Sequence, residues 1–515
     1  MTRHGAMPLG GDNAPSSIYH EQGKFGRLFP SLSPFAADNP TLRGYLKQIG
    51  QRTRRDDTGT IVAEGIMDAD DDLSDPVGLI TNPALNVRNE NNPDITAGFT
   101  FLGQFIDHDL TFDPTSSLER QQDPETIANF RTPTLGLDNV YGSGPKATPH
   151  LYDQTIDSGL TTFLIEEIPG SEAISRDGQR RFDLPRNSQN TALIGDPRND
   201  ENLIVSQLHL AFLKFHNAVV ARVKEETGLT NPDEIFAEAQ RLVRWHYQWI
   251  IVHEFLPLTV GQELVTKILT EGRKFYNWRN LPFIPVEFAV SAYRFGHSQA
   301  RPSYRANFGP SLPNDSGQFI ALFLDDGRPT SHDPNDPDPN DLRGGKRAAR
   351  RFIDWQTFFN FGDGRARPNK KIDTILSSAL FDLPGIPGME PQSLATRNLL
   401  RHITFRIPSG QSIAKAMGEK VLDPSNFKDL KPFALDQRTP LWFYILREAE
   451  ADGFGEGRHL GLVGGRIVAE VLIGLMQGDS ESYLRQDPGW VPTLSPDGNF
   501  KMTDLLRFAG VVTPL

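Results

Sequence analysis

The chain has 515 residues, with 65 acidic and 53 basic side chains and a formal charge of −12. That balance sets nucleic acid and anionic membrane aside as main partners and suits a neutral or cationic small molecule. There is no cysteine, so disulfides, thiolate metal ligation and thioether-linked cofactors are excluded. In chain order, residues 1–45 read as an extended arm, with turn residues at Pro30-Ser31-Leu32-Ser33-Pro34 and no apolar signal-peptide core in Met1–Pro30. Residues 46–515 are long enough for one large domain with a sizeable core. Asp68, Asp70, Asp71 and Asp72 read as a solvated acidic cluster. Helical spacing runs over Leu203–Val223 (Leu208, Phe212, Phe215, Val219). It returns over Pro232–Leu256 (Ile235, Ala239, Leu242, Trp245, Trp249, Val252), where proline supplies the start signal. The segment Ser331–Arg351 reads as an acidic loop followed by a charged helix start with Arg343, Lys346, Arg347, Arg350 and Arg351. It lacks the glycine and terminal glutamate of an EF-hand. Further helices are expected at 287–299, 390–402, 412–418, 440–451 and 464–476. Strand-type alternation is rare and no repeat occurs, so the class is mainly α with few short strands. No stretch is expected to span a membrane, and cytoplasmic residence is the default expectation.

The densest chemistry lies in Gly103-Gln104-Phe105-Ile106-Asp107-His108-Asp109. Gln104 and His108 are four apart and share a helix face, flanked by Asp107 and Asp109. Phe101, Leu102, Phe105 and Ile106 surround them with apolar bulk, so a histidine and two acids are expected to be buried together. Buried ionisable groups require partners, here a cofactor or a cation. Taken alone, a helical histidine more often packs than catalyses. Three later stretches change its meaning: Gly195-Asp196-Pro197-Arg198-Asn199-Asp200-Glu201, Tyr293-Arg294-Phe295-Gly296-His297, and Arg397-Asn398-Leu399-Leu400-Arg401.

In this order the chain resembles the peroxidase-cyclooxygenase superfamily, the animal-type haem peroxidases, from about residue 85 to about residue 480. The resemblance implies a mainly α fold that holds haem b between a distal and a proximal helix. It also implies reduction of hydrogen peroxide at the expense of a small electron donor: phenols, halides or thiocyanate. His108 corresponds to the distal acid-base group, whose ordinary pKa of about 6.5 suits proton transfer near neutrality. Arg198 corresponds to the distal cation, and Gln104 to a donor toward distal water or halide. His297 corresponds to the iron ligand and Asn398 to the acceptor of its ring N–H. Arg401 would pair with a propionate, and Arg294 would lie near the haem. Asp107 and Glu201 match the carboxylates that form esters to haem methyls in mammalian relatives. Asn202 stands where a methionine would add a sulfonium link, which excludes that bond.

Asp109 corresponds to an acid in a calcium loop, here Thr132-Pro133-Thr134-Leu135-Gly136-Leu137-Asp138-Asn139-Val140-Tyr141-Gly142. Thr132, Thr134 and Asp138 would supply oxygens, with Gly136 where an aspartate is expected. His216, His246 and His253 are assigned to packing, and His402 lies off the functional face. The two alternatives are a haem fatty-acid dioxygenase and a non-catalytic haem-binding protein of the same fold. Cyclooxygenases carry a radical tyrosine three residues before the proximal histidine. This chain has Arg294 there, with Tyr293 one place off.

Overall fold

The computed structural model describes residues 23–63, 65–68, 90–112, 128–155, 159–310, 318–321, 338, 341–383, 391–495 and 497–514. Asp70, Asp71, Asp72, most of the acidic loop and the first 22 residues lie outside them. The described residues are mainly helical, and their strands pair only two at a time. Those ribbons pin loops to the helices: Phe25–Gly26 lies parallel to Ile284–Pro285, and Asn91–Thr96 lies antiparallel to Pro368–Lys370.

The helices that position the site are α1 (Pro40–Ile49), α2 (Gly98–Leu110), α3 (Leu203–Thr227), α4 (Pro232–Ile250), α5 (Leu256–Val260) and α6 (Gln262–Glu271). They continue as α7 (Leu394–Thr404), α8 (Gly410–Met417), α9 (Leu441–Glu450), α10 (Leu462–Gly478) and α11 (Met502–Phe508). α1 occupies the end of the expected extended arm. It is started by Asn39, whose side chain accepts from the Leu42 N–H, and by Pro40.

α3 is buried along most of its length and packs against α2, α4 and α11. By length and composition it could cross a membrane, contrary to expectation, yet 83% of that window is buried inside the fold. It is a core helix. α4 begins at an Asn231 cap and Pro232, then gives way to a π turn at Ile251–Phe255 before α5. Pro257 has no N–H to return to the His253 carbonyl, so the α-register slips there. The predicted single helix at 287–299 is two pieces. A short turn, Val286–Ala289, is followed by a 3-10 segment, Ala292–Gln299. Residues 341–350 form no helix. Their arginines pair instead, Arg343 with Asp341, Arg347 with Glu166 and Asp183, and Arg350 with Asp338.

The histidines assigned to packing do pack. His216 is buried between the Tyr141 hydroxyl at 3.0 Å and the Thr161 carbonyl at 2.9 Å, and His253 stacks on Trp249 at 3.7 Å. His246 donates from Nδ1 to the Leu242 carbonyl at 2.7 Å. Burial drives His216 and His402 each down to about 4. Because these folded values lie below the unfolded value near 6.5, the neutral rings contribute stability that is full above pH 6.5 and lost as pH falls through 4. Denaturation profiles between pH 7 and 4 should therefore show a loss of about 3 kcal/mol per such histidine. Replacing His216 by asparagine should reduce that loss, and an unchanged profile would contradict the assignment.

Candidate active site

α2 turns an aromatic face to the core, with Phe105 stacked on Phe212 at 4.6 Å, and so presents Gln104 and His108 together on another face. His108 is 4% exposed; its Nδ1 lies 2.8 Å from Asn199 Oδ1 and its Nε2 lies 3.5 Å from Glu201 Oε1. Burial and then the Arg198 charge push the ring down to about 4, against upward pulls from Asp107 and Asn199. The imidazole is therefore neutral near pH 7. Gln104 donates to the same Glu201 carboxylate and accepts from Asn202 Nδ2 at 3.4 Å. Glu201 keeps about half of its side chain accessible, yet the protein atoms crowded around its carboxyl desolvate it and raise it to about 7 against the pulls of Arg198 and Gln104.

The turn carrying Arg198 and Glu201 is built by Asp196, which caps a 3-10 segment, Pro197–Asp200, through the Arg198 N–H at 2.9 Å. Its carboxylate also holds the side chains of Arg131 and Arg198. Burial opposes ionisation, but the two guanidiniums outweigh it and bring Asp196 down to about 2. Arg198 Nη2 donates to the backbone oxygens of His108 at 3.0 Å and Thr111 at 2.5 Å, so this arginine clamps the C-terminal end of α2. Only Nη1 makes no hydrogen bond among the described residues. Gly344 backs the turn: a Cβ there would sit 1.6 Å from the Asp200 carbonyl oxygen, so no larger residue fits without moving Glu201.

Asp107 links this set to His297. It accepts from the Thr111 hydroxyl at 3.1 Å and faces Arg294 Nη1 at 3.6 Å, while Arg294 Nε donates to the Ala289 carbonyl at 2.9 Å. Burial opposes its charge, yet Arg294, His108 and Arg198 hold it below the ordinary aspartate value, and its field reaches both His108 and His297. The His297 Nδ1 lies 2.7 Å from Asn398 Nδ2, and its Nε2 makes no hydrogen bond among the described residues. Burial and then Arg294 lower the ring to about 3. Arg401 follows on α7, partly buried.

His402, set aside in the sequence, joins three elements. Nδ1 donates to the Asn398 carbonyl at 2.8 Å, and Nε2 accepts from the Trp442 N–H at 2.9 Å with Ser291 Oγ also at 2.9 Å. It therefore fixes α7 and α9 against the segment that leads to His297.

Asp109 is fully buried. One oxygen accepts from the Leu137 N–H at 3.0 Å and the other has no hydrogen-bond partner. Burial and then Asp138 push it up to about 8. Thr132 donates its hydroxyl to Asp138, and Thr134 borders the same space: a Cβ on Gly136 would lie 3.2 Å from Thr134 Oγ1 and 3.4 Å from Asp138 Oδ1. Among the described residues no group of three acidic, histidine or cysteine side chains gathers there as a metal site.

Two contributors were not foreseen. Asn199 sits inside the Arg198 motif, but nothing in its spacing says that it reaches back to His108. His209 is one of several buried polar residues on α3, and its ring lies 2.9 Å from the Asn199 amide.

Residues 117–318 match the family model for animal haem peroxidase. A peroxidasin homolog of Caenorhabditis elegans, pxn-2, is 30% identical over 176 residues, 33% of this chain and 13% of that protein. Mouse myeloperoxidase is 29% identical over 135 residues, 26% of this chain and 18% of that protein. The alignments thus span under a fifth of these relatives' lengths. Among solved structures, peroxidase A of Dictyostelium discoideum superposes with a TM-score of 0.58 at 15% identity, covering 96% of this chain and 95% of that one. A fatty acid alpha-dioxygenase of Oryza sativa gives 0.56 at 13% identity, covering 95% and 79%. These two likenesses concern the fold. The family-model match and these fold likenesses together support the peroxidase-cyclooxygenase superfamily.

Proposed function

We propose that this protein is a haem peroxidase that reduces hydrogen peroxide while oxidising phenol-like donors, halides or thiocyanate. The observation that carries the reading is the geometry joining two histidine sites: Asp107, next to His108 on α2, faces Arg294, three residues before His297, at 3.6 Å. Haem fits the donors present. His297 has an Nε2 without a hydrogen bond, and Asn398 can take up its Nδ1–H by presenting the amide oxygen. Bound haem would supply a redox-active iron. His108 Nε2 would take a proton from one peroxide oxygen and return it to the other, and Arg198 Nη1 is the arm left to meet developing negative charge. Gln104 holds Glu201 beside His108 and thereby orders the distal edge.

Asp107 and Glu201 are the carboxylates assigned to ester bonds with the haem edge. After peroxide cycling, acidified organic solvent should leave haem on the polypeptide, and free haem would remove this part of the proposal. Arg294 stands three residues before His297 and is engaged with Asp107, which supports peroxidase chemistry over fatty-acid dioxygenation. Peroxide added to the haem-loaded ferric protein should change the Soret band, and a phenol should restore it. An inert Soret band would favour the non-catalytic reading, and oxygen uptake with a fatty acid would favour the dioxygenase.

The unpartnered Asp109 oxygen, and its mutual repulsion with Asp138, support calcium as the cation between them. Two carboxylates make a weak site, and Gly136 leaves room for a third. Gly136→Asp should therefore tighten calcium binding by about tenfold or more, since ligand charge count tunes such sites. Titration calorimetry of both proteins checks this, and equal affinities would count against the site.

A further inference from the structure

His108 and His209 do not touch, yet one side chain connects them. Asn199 Oδ1 lies 2.8 Å from His108 Nδ1, and Asn199 Nδ2 lies 2.9 Å from His209 Nδ1. His209 is fully buried on α3, and its other nitrogen, Nε2, has no hydrogen-bond partner. A neutral imidazole carries one N–H, and an amide has one accepting and one donating end. These constraints admit two self-consistent arrangements.

In the first, the Asn199 oxygen accepts from His108 Nδ1–H, which leaves a lone pair on His108 Nε2, 3.5 Å from Glu201. The Asn199 NH2 then donates to His209 Nδ1, and the His209 proton sits on the unpartnered Nε2. In the second, the amide is turned over. His209 Nδ1–H donates to the oxygen, the NH2 donates to His108 Nδ1, and the His108 proton moves to Nε2. Only the first gives His108 a base where peroxide would arrive.

We infer that His209 is a positioning residue that, by accepting from the Asn199 amide, holds His108 in the tautomer with its free lone pair at Nε2. This rests on the peroxidase reading for its use but not for its geometry. Without the acceptor at position 209, the outward end of the amide faces apolar surroundings, among them Phe105, whose ring centre lies 6.2 Å from that of His209. With leucine there nothing engages the outward end, so the amide is free to turn over and present its NH2 to His108, which moves the His108 proton to Nε2.

The experiment compares wild type, His209→Leu, His209→Gln, Asn199→Asp and Asn199→Asp/His209→Leu, all as haem-loaded proteins. The infrared C–O stretch of the ferrous carbon monoxide complex reads the tautomer, because an N–H donated to the bound ligand lowers that frequency and a lone pair does not. His209→Leu should lower the frequency and slow the peroxide reaction about tenfold if the base-ready form falls to a tenth of the molecules. His209→Gln, which keeps an acceptor, should resemble wild type. In the Asn199→Asp background a carboxylate can only accept, so leucine at position 209 should leave the frequency where Asn199→Asp alone puts it. His209→Met serves if the leucine protein fails to fold. A frequency unmoved by His209→Leu, or moved equally in the Asn199→Asp background, overturns the relay. A wild type that binds carbon monoxide but is inert to peroxide overturns the peroxidase reading, while the stretch still decides the relay.

Discussion

His108→Leu should slow the reaction with hydrogen peroxide by about 10²–10⁴-fold, the range for loss of a positioned general acid-base group. The substitution should leave haem uptake intact, because the proposed ligand His297 and its neighbours Asn398 and His402 lie on other segments. Leucine suits the site sterically, since His108 is buried on a helix that also buries Phe105, Ile106 and Leu110. The ring it removes is neutral near pH 7, so no buried ion pair is broken. Stopped-flow measurement of the Soret change gives the second-order rate constant directly. A His108→Leu protein that takes up haem and reacts at the wild-type rate would remove His108 from the chemistry.

Asp196→Asn should act on stability as well as on the site. The carboxylate is fully buried and holds two guanidiniums, Arg131 and Arg198, and removing one side of a buried ion network leaves the other charges uncompensated. With the folded value near 2 against an ordinary value of 3.8, the ionised group contributes about 2–3 kcal/mol. Its folded value is depressed, so this contribution is full above pH 3.8 and lost as pH falls through 2. Urea denaturation should show the full deficit of the variant at pH 7 and a shrinking one below pH 4. The variant also frees Arg198 from its clamp on the end of α2, so the peroxide rate should fall with it. Equal stability at pH 7 would mean that Arg198 is held by the His108 and Thr111 carbonyls alone.

The distal face of α2 was legible because a period of 3.6 places Gln104 and His108 together whatever packs around them. The pairing of Asp107 with Arg294 was not, because it depends on how two segments far apart in sequence dock. The 3-10 geometry around His297 was hidden for a similar reason. The clustered apolar residues of 287–299 suit a helix, and only the break at Ser291 shows otherwise. His402 was read by its angular distance from Arg401, a correct angle that missed the partner waiting on the other side, the Trp442 N–H. Arg198 shows the limit of motif reading: the motif places the arginine, but the backbone carbonyls that draw Nη2 toward α2 carry no sequence mark. Asn202 was read by the bond it cannot form. In the fold it caps α3 through the Val205 N–H at 3.0 Å.

α3 is covered on one side by α11 and the residues just before it. Phe215 on α3 stacks on Phe500 with ring centres 5.8 Å apart and meets Phe508 edge-on at 5.6 Å. During synthesis this apolar helix leaves the ribosome long before that cover exists, and most of the second half of the chain must follow before it is closed. The nascent protein thus carries a segment apolar enough to attract a membrane or a chaperone until Phe500 and Phe508 have been made and have packed on it. Replacing Phe500 and Phe508 by alanine should show itself as poor recovery of soluble protein before it shows itself as a changed active site.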